Sequence, residues 1–333
     1  MLTRRDKRVI AAAAALFLIS QPVIFASIPL DTDNTVKPVV VKKGTHIRDV
    51  ARLLEEQDLI RSSWLFVGCS LVAHRGKIIA GEYELSKQMS IAQIAARMAA
   101  GQRKVYTLKI VEGYNLNTVG DALEKAGIMN RNVFFKLATD DAFLDKLRIP
   151  ADTLEGYFYP DTYFYSKETD IDVFLEKIIR RTFAFFEKED IKARMVELHM
   201  SPYDVLTLAS MIEKEAKIEE EKPLISAVFH NRLQNGMSLD SDPTVMYGIS
   251  MSPKALTRVD LDSPTAYNTY RLKGLPKGPI CNPSTSSLLA ALYPAPSDFL
   301  YFVSRNDGTH VFSKRISEHN QFVTIYQKNK KKQ

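Results

Sequence analysis

Residues 208–222 read LASMIEKEAKIEEEK, an apolar half-turn running into a cluster of acids. Ser201 followed by Pro202 opens a helix through them, because serine caps free N–H groups and proline at the first helical position has no N–H to lose. At about 100° per residue, Val205, Leu208, Ala209, Ile212 and Ala216 form one apolar arc, and Lys214 and Lys217 point away from it. Glu215 and Glu213 fall on opposite shoulders, about 76° and about 84° from the centre of the arc. A carboxylate at the edge of an apolar face loses solvation when charged, so its pKa rises and it stays protonated near neutral pH, as a general acid must. Periodicity shortlists these two acids without ranking them. The competing reading has both at the edge of the core, paired with a base such as Arg232 and doing no chemistry.

Upstream, the sequence repeats a simple theme. VVVKKGTHIRDVARLLEEQDLI (residues 39–60) predicts a β-branched strand, a glycine turn, a cap at Thr45 and a helix with Ile47, Val50, Ala51 and Leu54 on one face. GEYELSKQMSIAQIAARMAAG repeats it with a cap at Ser90, and YTLKIVEGYNLNTVGDALEKAG repeats it again, with a strand ending near Val111 and a helix around residues 119–125. Each repeat is too short to bury its own apolar face, so the reading is of small α+β modules sharing sheets. The first repeat resembles a LysM module, the type that holds N-acetylglucosamine-containing glycans. Residues 130–191 read as mostly helical, interrupted by LEGYFYPDTYFY (residues 154–165), whose aromatics with polar tips suit either a sugar or the core. Beyond Ser201, polar and proline-rich loops separate the helices, and long ordered loops of this kind usually build a site.

The totals bound the rest. With 333 residues, 45% of them hydrophobic, the chain can bury a large core and form two domains. The net charge of +6 is scattered apart from the tail KNKKKQ, so nothing marks a nucleic-acid surface. Cys69 and Cys281 lack a CxxC partner and the six histidines lack ligand spacing, so no metal or cofactor is expected. The start, MLTRRDKR followed by the apolar run Val9–Ile19, marks export or membrane insertion. Cleavage after Ala26 would put bulky Ile24 where a small residue is preferred. That favours a retained anchor over residues 1–30, with the remainder outside the cytoplasm.

LASMIEKEAKIEEEKPLISAVFHNRL, MSLDSDPTVMYG, SPTAYNTYRLKGLPKGPICNPSTSSLLAALYPA, FLYFVSRNDGTHVFSKRISEHN and EGYFYPDTY together resemble the YceG-like endolytic murein transglycosylases. The resemblance implies an α+β chain in four parts: a cytoplasmic tail and transmembrane helix (1–30), a linker (31–38), a LysM-like α+β module (39–105), and a larger mixed α+β catalytic region with a short basic tail (106–333). It also implies a single-pass inner-membrane protein whose outer part cuts peptidoglycan strands internally, with peptidoglycan synthases as partners. The family's catalytic glutamate is taken as the second acid of IEKE, here Glu215. Glu221, Asn231, Arg232, Asp242, Thr244, Tyr247, Tyr267, Asn268 and Tyr270 match family positions and are expected around the glycan, with Tyr157 and Tyr159 from the aromatic stretch. Lys277 and Ser284 depart from the usual proline and glycine. Two rivals stand beside this reading: a hydrolase with Asp242 or Glu221 as base, and a non-catalytic wall-binding scaffold.

Overall fold

The computed structural model describes residues 21, 24–249 and 256–328. The run Val9–Ile19 lies outside them, and with it most of the expected membrane anchor. No helix among the described residues is long and apolar enough to cross a membrane. The fold is mixed α+β and divides into two units, Met1–Tyr106 with Phe164–Asp170, and Thr107–Tyr163 with Ile171–Gln333.

The first unit holds β1 (Lys37–Val41), α1 (Ile47–Glu56), α2 (Ser63–His74), β2 (Gly81–Leu85) and α3 (Ile91–Ala99). β1 and β2 are antiparallel, with Lys37 opposite Leu85 and Val41 opposite Gly81. Alternation along β1 sends Val39 and Val41 inward and Val40 outward, as a half-buried strand requires. Val50, Ala51 and Leu54 of α1 are wholly buried, the face that the 3.6-residue period predicts. The cap of α1 is His46, whose side chain accepts from the Arg48 N–H, and not Thr45 as expected. Thr45 instead donates its hydroxyl to the Lys42 carbonyl, closing the turn in which Gly44 sits at φ +83°. Ser90 caps α3 as expected, in a reciprocal box with Gln93.

The remaining elements are β3 (Tyr106–Ile110), α4 (Leu116–Lys125), α5 (Arg131–Ala138), α6 (Asp141–Leu147), β4 (Asp161–Tyr165), α7 (Ile171–Phe186), α8 (Glu189–Leu198), α9 (Pro202–Glu215), α10 (Lys222–Gln234), α11 (Asp242–Gly248), α12 (Arg258–Leu261), α13 (Thr285–Leu292), β5 (Tyr301–Ser304), β6 (His310–Ser313) and α14 (Ile316–Val323). β3 pairs with β4, so the third repeat does not join the β1–β2 sheet. β5 and β6 form an antiparallel hairpin with Ser304 opposite His310.

The second unit is built around α9. Ser201 and Asp204 form its capping box and Pro202 opens it. Every residue from Val205 to Ile212 is buried, more than one face, because α10, α11 and α13 pack around it. The helix stops at Glu215: Ala216 is extended, at φ −74° and ψ 129°. Its last turn therefore presents Glu213 and Glu215 where the surrounding loops meet.

Candidate active site

Glu213 and Glu215, which periodicity could not rank, have different surroundings. Oε2 of Glu213 accepts from the Ser284 N–H (2.9 Å), the Ser287 hydroxyl (2.6 Å) and the Ser284 hydroxyl. Lys222 Nζ lies 3.5 Å from the same oxygen, only 4% of its side chain exposed, and also reaches Glu219 Oε1 (2.6 Å) and Ser286 Oγ (2.8 Å). Such a carboxylate is saturated with donors and ties Ser284 and the first turn of α13 to α9 and α10. The base beside it is Lys222. Arg232, the partner expected from sequence, instead pairs with Asp240 (2.7 Å) and donates to the Leu300 and Ser238 carbonyls. Ser284 caps α13 and supplies two of the donors to Glu213.

Glu215 is half-buried, and Oε1 accepts from the Ser241 hydroxyl at 2.6 Å. Loss of solvation pushes its pKa up to about 7; the charge of Asp242 adds to the rise and the Ser241 hydrogen bond opposes it. The group is thus partly protonated at neutral pH. Ser241 is itself held in place. Its N–H donates to Thr269 Oγ1 (3.0 Å), its carbonyl accepts from Thr244 (2.7 Å), and the two threonine hydroxyls are 2.9 Å apart. Asp242 is exposed and accepts from the Tyr270 hydroxyl (2.7 Å), while Asn268 Oδ1 accepts the Tyr270 N–H (3.0 Å). Tyr267 lies against Tyr247 with ring centroids 4.8 Å apart.

A second acid with a raised pKa escaped the sequence reading as a site residue. Glu155 is 2% exposed, and its Oε2 accepts from the Tyr247 hydroxyl and from the N–H of Leu116, the first residue of α4, both at 3.0 Å. Burial pushes it up to about 7 against the pull of these bonds. Through Tyr247 it touches the same short helix whose start faces Glu215. Its signal was available in the sequence: an acid inside an aromatic run, followed by Gly156. That glycine sits at φ +85°, where an added Cβ would come within 2.7 Å of Pro279.

The structure therefore brings Asp242, Thr244, Tyr247, Tyr267, Asn268 and Tyr270 into a connected set around Glu215 and α11. The other expected residues lie in contacts of their own. Both oxygens of Glu221 are engaged by His310, one by its N–H (2.9 Å) and one by Nδ1 (2.6 Å). Asn231 donates to the Ser297 (3.0 Å) and Phe299 (2.9 Å) carbonyls. Tyr157 is 4% exposed, packs on Phe183 and accepts through its carbonyl from Thr182. Tyr159 shares a hydrogen bond with Thr285 (2.5 Å) beneath the Arg181 guanidinium. Among the described residues no group of three or more His, Cys, Asp or Glu side chains could hold a metal ion.

The region that carries this geometry lies within a match to a known family. A model of the YceG-like family matches residues 39–325. The chain belongs to the YceG-like family. It is 30% identical over 320 residues to an endolytic murein transglycosylase of Bacillus subtilis, covering 90% of this chain and 87% of that one. An endolytic murein transglycosylase of Streptococcus pneumoniae is 26% identical over 344 residues, covering 91% of this chain and 61% of that longer one. The crystal structure of a YceG-like protein of Listeria monocytogenes superposes with a TM-score of 0.60 at 31% identity, covering 87% of this chain and all of that one.

Proposed function

We propose that this YceG-like chain is an endolytic murein transglycosylase, a lytic transglycosylase that breaks the β-1,4 bond between N-acetylmuramic acid and N-acetylglucosamine within a glycan strand. The observation that carries this is Glu215: a half-buried carboxyl, pushed up to about 7, with one oxygen held by Ser241 and the connected tyrosines around it. Protonated Glu215 gives its proton to the glycosidic oxygen as the bond to C1 breaks through an oxocarbenium-like state. The resulting carboxylate takes the proton of the muramic acid's C6 hydroxyl, whose oxygen closes on C1. The acid is thereby regenerated and a 1,6-anhydro end is left. The nucleophile belongs to the substrate, so the second carboxylate of ordinary glycosidases is not needed. Asp242 serves here to raise Glu215, and Tyr247, Tyr267 and Tyr270 offer ring faces and hydroxyls to the sugars.

In this reading residues 1–30 anchor the chain in the cytoplasmic membrane with the catalytic region outside. The first unit acts as a LysM-like glycan-binding module, and cleavage terminates nascent strands made by partner synthases. Mass spectrometry of fragments released from uncrosslinked peptidoglycan tests the central claim, and anhydro-muramic ends are expected. Reducing muramic ends would instead make the protein a hydrolase, with Asp242, the exposed carboxylate beside Glu215, as the base.

The pH profile supplies a further expectation. Cleavage requires protonated Glu215, so kcat/KM should fall as pH rises through about 7. Ser241 stabilises the carboxylate form, and Ser241→Ala should raise the pKa of Glu215 and move the falling limb upward by about one unit. A hydrogen bond to a charged group is worth about 1.5–3 kcal/mol net, and one unit corresponds to about 1.4 kcal/mol. An unmoved limb in a folded Ser241→Ala variant would detach that limb from Glu215.

A further inference from the structure

α2 reads SWLFVGCSLVAH, and helical spacing sets Trp64, Gly68, Leu71 and Val72 on one side. The opposite side carries the buried Phe66 and Ser70, so the packing needs of the unit are met there. The outward side is apolar yet open to solvent: Trp64 is 70% exposed, Leu71 53% and Val72 89%. Contiguous apolar surface left exposed in this way marks an interaction site. The charge carried by the helix and its flanks is basic, with Glu55, whose Oε1 accepts the Ser63 N–H (3.3 Å), the acid at its first turn. From Leu59 to Gly81 the sequence has no acid, and Arg61, Arg75 and Lys77 are exposed at the two ends of the helix. A tryptophan on an apolar helix face bounded by cations suits the boundary between lipid headgroups and acyl chains.

The path of the chain into the unit says which surface that is. Ala26 is buried in the same core as Leu54, Leu59 and Phe66. Phe25 and Ile28 line one small cleft with Leu59 and Leu65. Arg61 donates to the Pro29 (2.9 Å) and Leu30 (3.2 Å) carbonyls, and the Leu30 and Asp31 N–H groups donate to the Lys87 carbonyl. The chain from Phe25 to Asp31 is thus tied down beside the first turn of α2, at Arg61 and Leu65. A segment that enters a bilayer there brings the open face of α2 to the lipid surface.

We propose that Trp64, Leu71 and Val72, with Arg61, Arg75 and Lys77 at the ends of α2, rest on the bilayer that the N-terminal segment enters and favour anionic lipid there. This rests on the reading of that segment as a membrane anchor. Two attachments, the chain entry and α2, give the first unit one orientation to the bilayer, whereas a single tether would leave it free to turn.

Trp64 is the sole tryptophan of the chain, so its emission reports on this face without a label. The full chain is reconstituted into vesicles of phosphatidylcholine with phosphatidylglycerol, and into phosphatidylcholine alone. In the mixed vesicles the Trp64 emission should be blue-shifted, quenched by lipid brominated in the upper acyl chain and shielded from aqueous iodide, with a smaller shift in phosphatidylcholine. The double variant Leu71→Glu with Val72→Glu should still float with the vesicles while its emission returns to that of a water-exposed indole. Flotation with Trp64 open to iodide and untouched by brominated lipid would overturn the proposal and leave the anchor standing. Failure to float would overturn both. A blue shift that grows with protein density, without quenching by lipid, would assign the face to a second copy of the chain and overturn the proposal.

Discussion

Replacing Glu215 by glutamine is expected to lower strand cleavage by at least about 10²- to 10⁴-fold, the usual cost of losing a general acid, and further because the same group also acts as the base. The melting temperature should not fall. Glutamine has nearly the same volume, its amide oxygen still accepts from Ser241, and it is neutral like the protonated acid it replaces, so the repulsion from Asp242 vanishes. It has no proton to give at neutral pH. Purified variant and wild type are compared by release of fragments from uncrosslinked glycan and by calorimetry. Activity within tenfold of wild type would remove Glu215 from the chemistry and refer the question to Glu155, the other acid held near 7.

Replacing Glu213 by alanine should give the opposite pattern, a large loss of stability in place of a specific loss of chemistry. Its Oε2 receives three donors, and Lys222, 3% exposed as a residue, stands 3.5 Å away. Removing one member of a buried ion pair commonly costs about 3–5 kcal/mol. Glu219 remains beside Lys222 at 2.6 Å, which places the expectation near the lower end, about 3 kcal/mol. In a domain of this size that corresponds to a fall of about 6–12 °C in melting temperature. Glutamine at the same position keeps one acceptor oxygen but turns an amide N–H₂ toward donors, and should fall between. Well below the lowered melting point, cleavage should persist. A Glu213→Ala variant that melts like wild type would show that the loop is held by other contacts.

How far these roles could be read in advance depends on whether a residue acts along its own helix or across the chain. The cap at Ser201, the apolar arc of α9 and the cap at Ser90 were legible because their partners lie within one or two turns. Partners far along the chain were not. Nothing in the sequence distinguishes Lys222 from Arg232 as the base beside Glu213, since the choice depends on where Ser284 and the start of α13 meet α9. Tyr247 meets Glu155 across 92 positions, a pairing that no periodicity encodes. The first helix misled for a local reason: Thr45 and His46 can both cap, and Thr45 was drawn into the glycine turn. The family motifs named residues that the fold gathers around Glu215 and others that lie in contacts of their own, and the motifs alone did not separate the two groups.

The asparagines show what that second group achieves. Asn268 donates to the Leu261 (2.8 Å) and Ser263 (2.7 Å) carbonyls, Asn282 donates to the Tyr114 carbonyl and accepts the Phe158 N–H, and Asn231 grips the segment before β5. Each side chain stands in for the backbone partner that an irregular loop lacks. Ordering a loop residue costs about 1–2 kcal/mol of conformational entropy, and here that cost is met during folding, before any ligand arrives. A glycan strand entering the site then has only its own freedom to surrender.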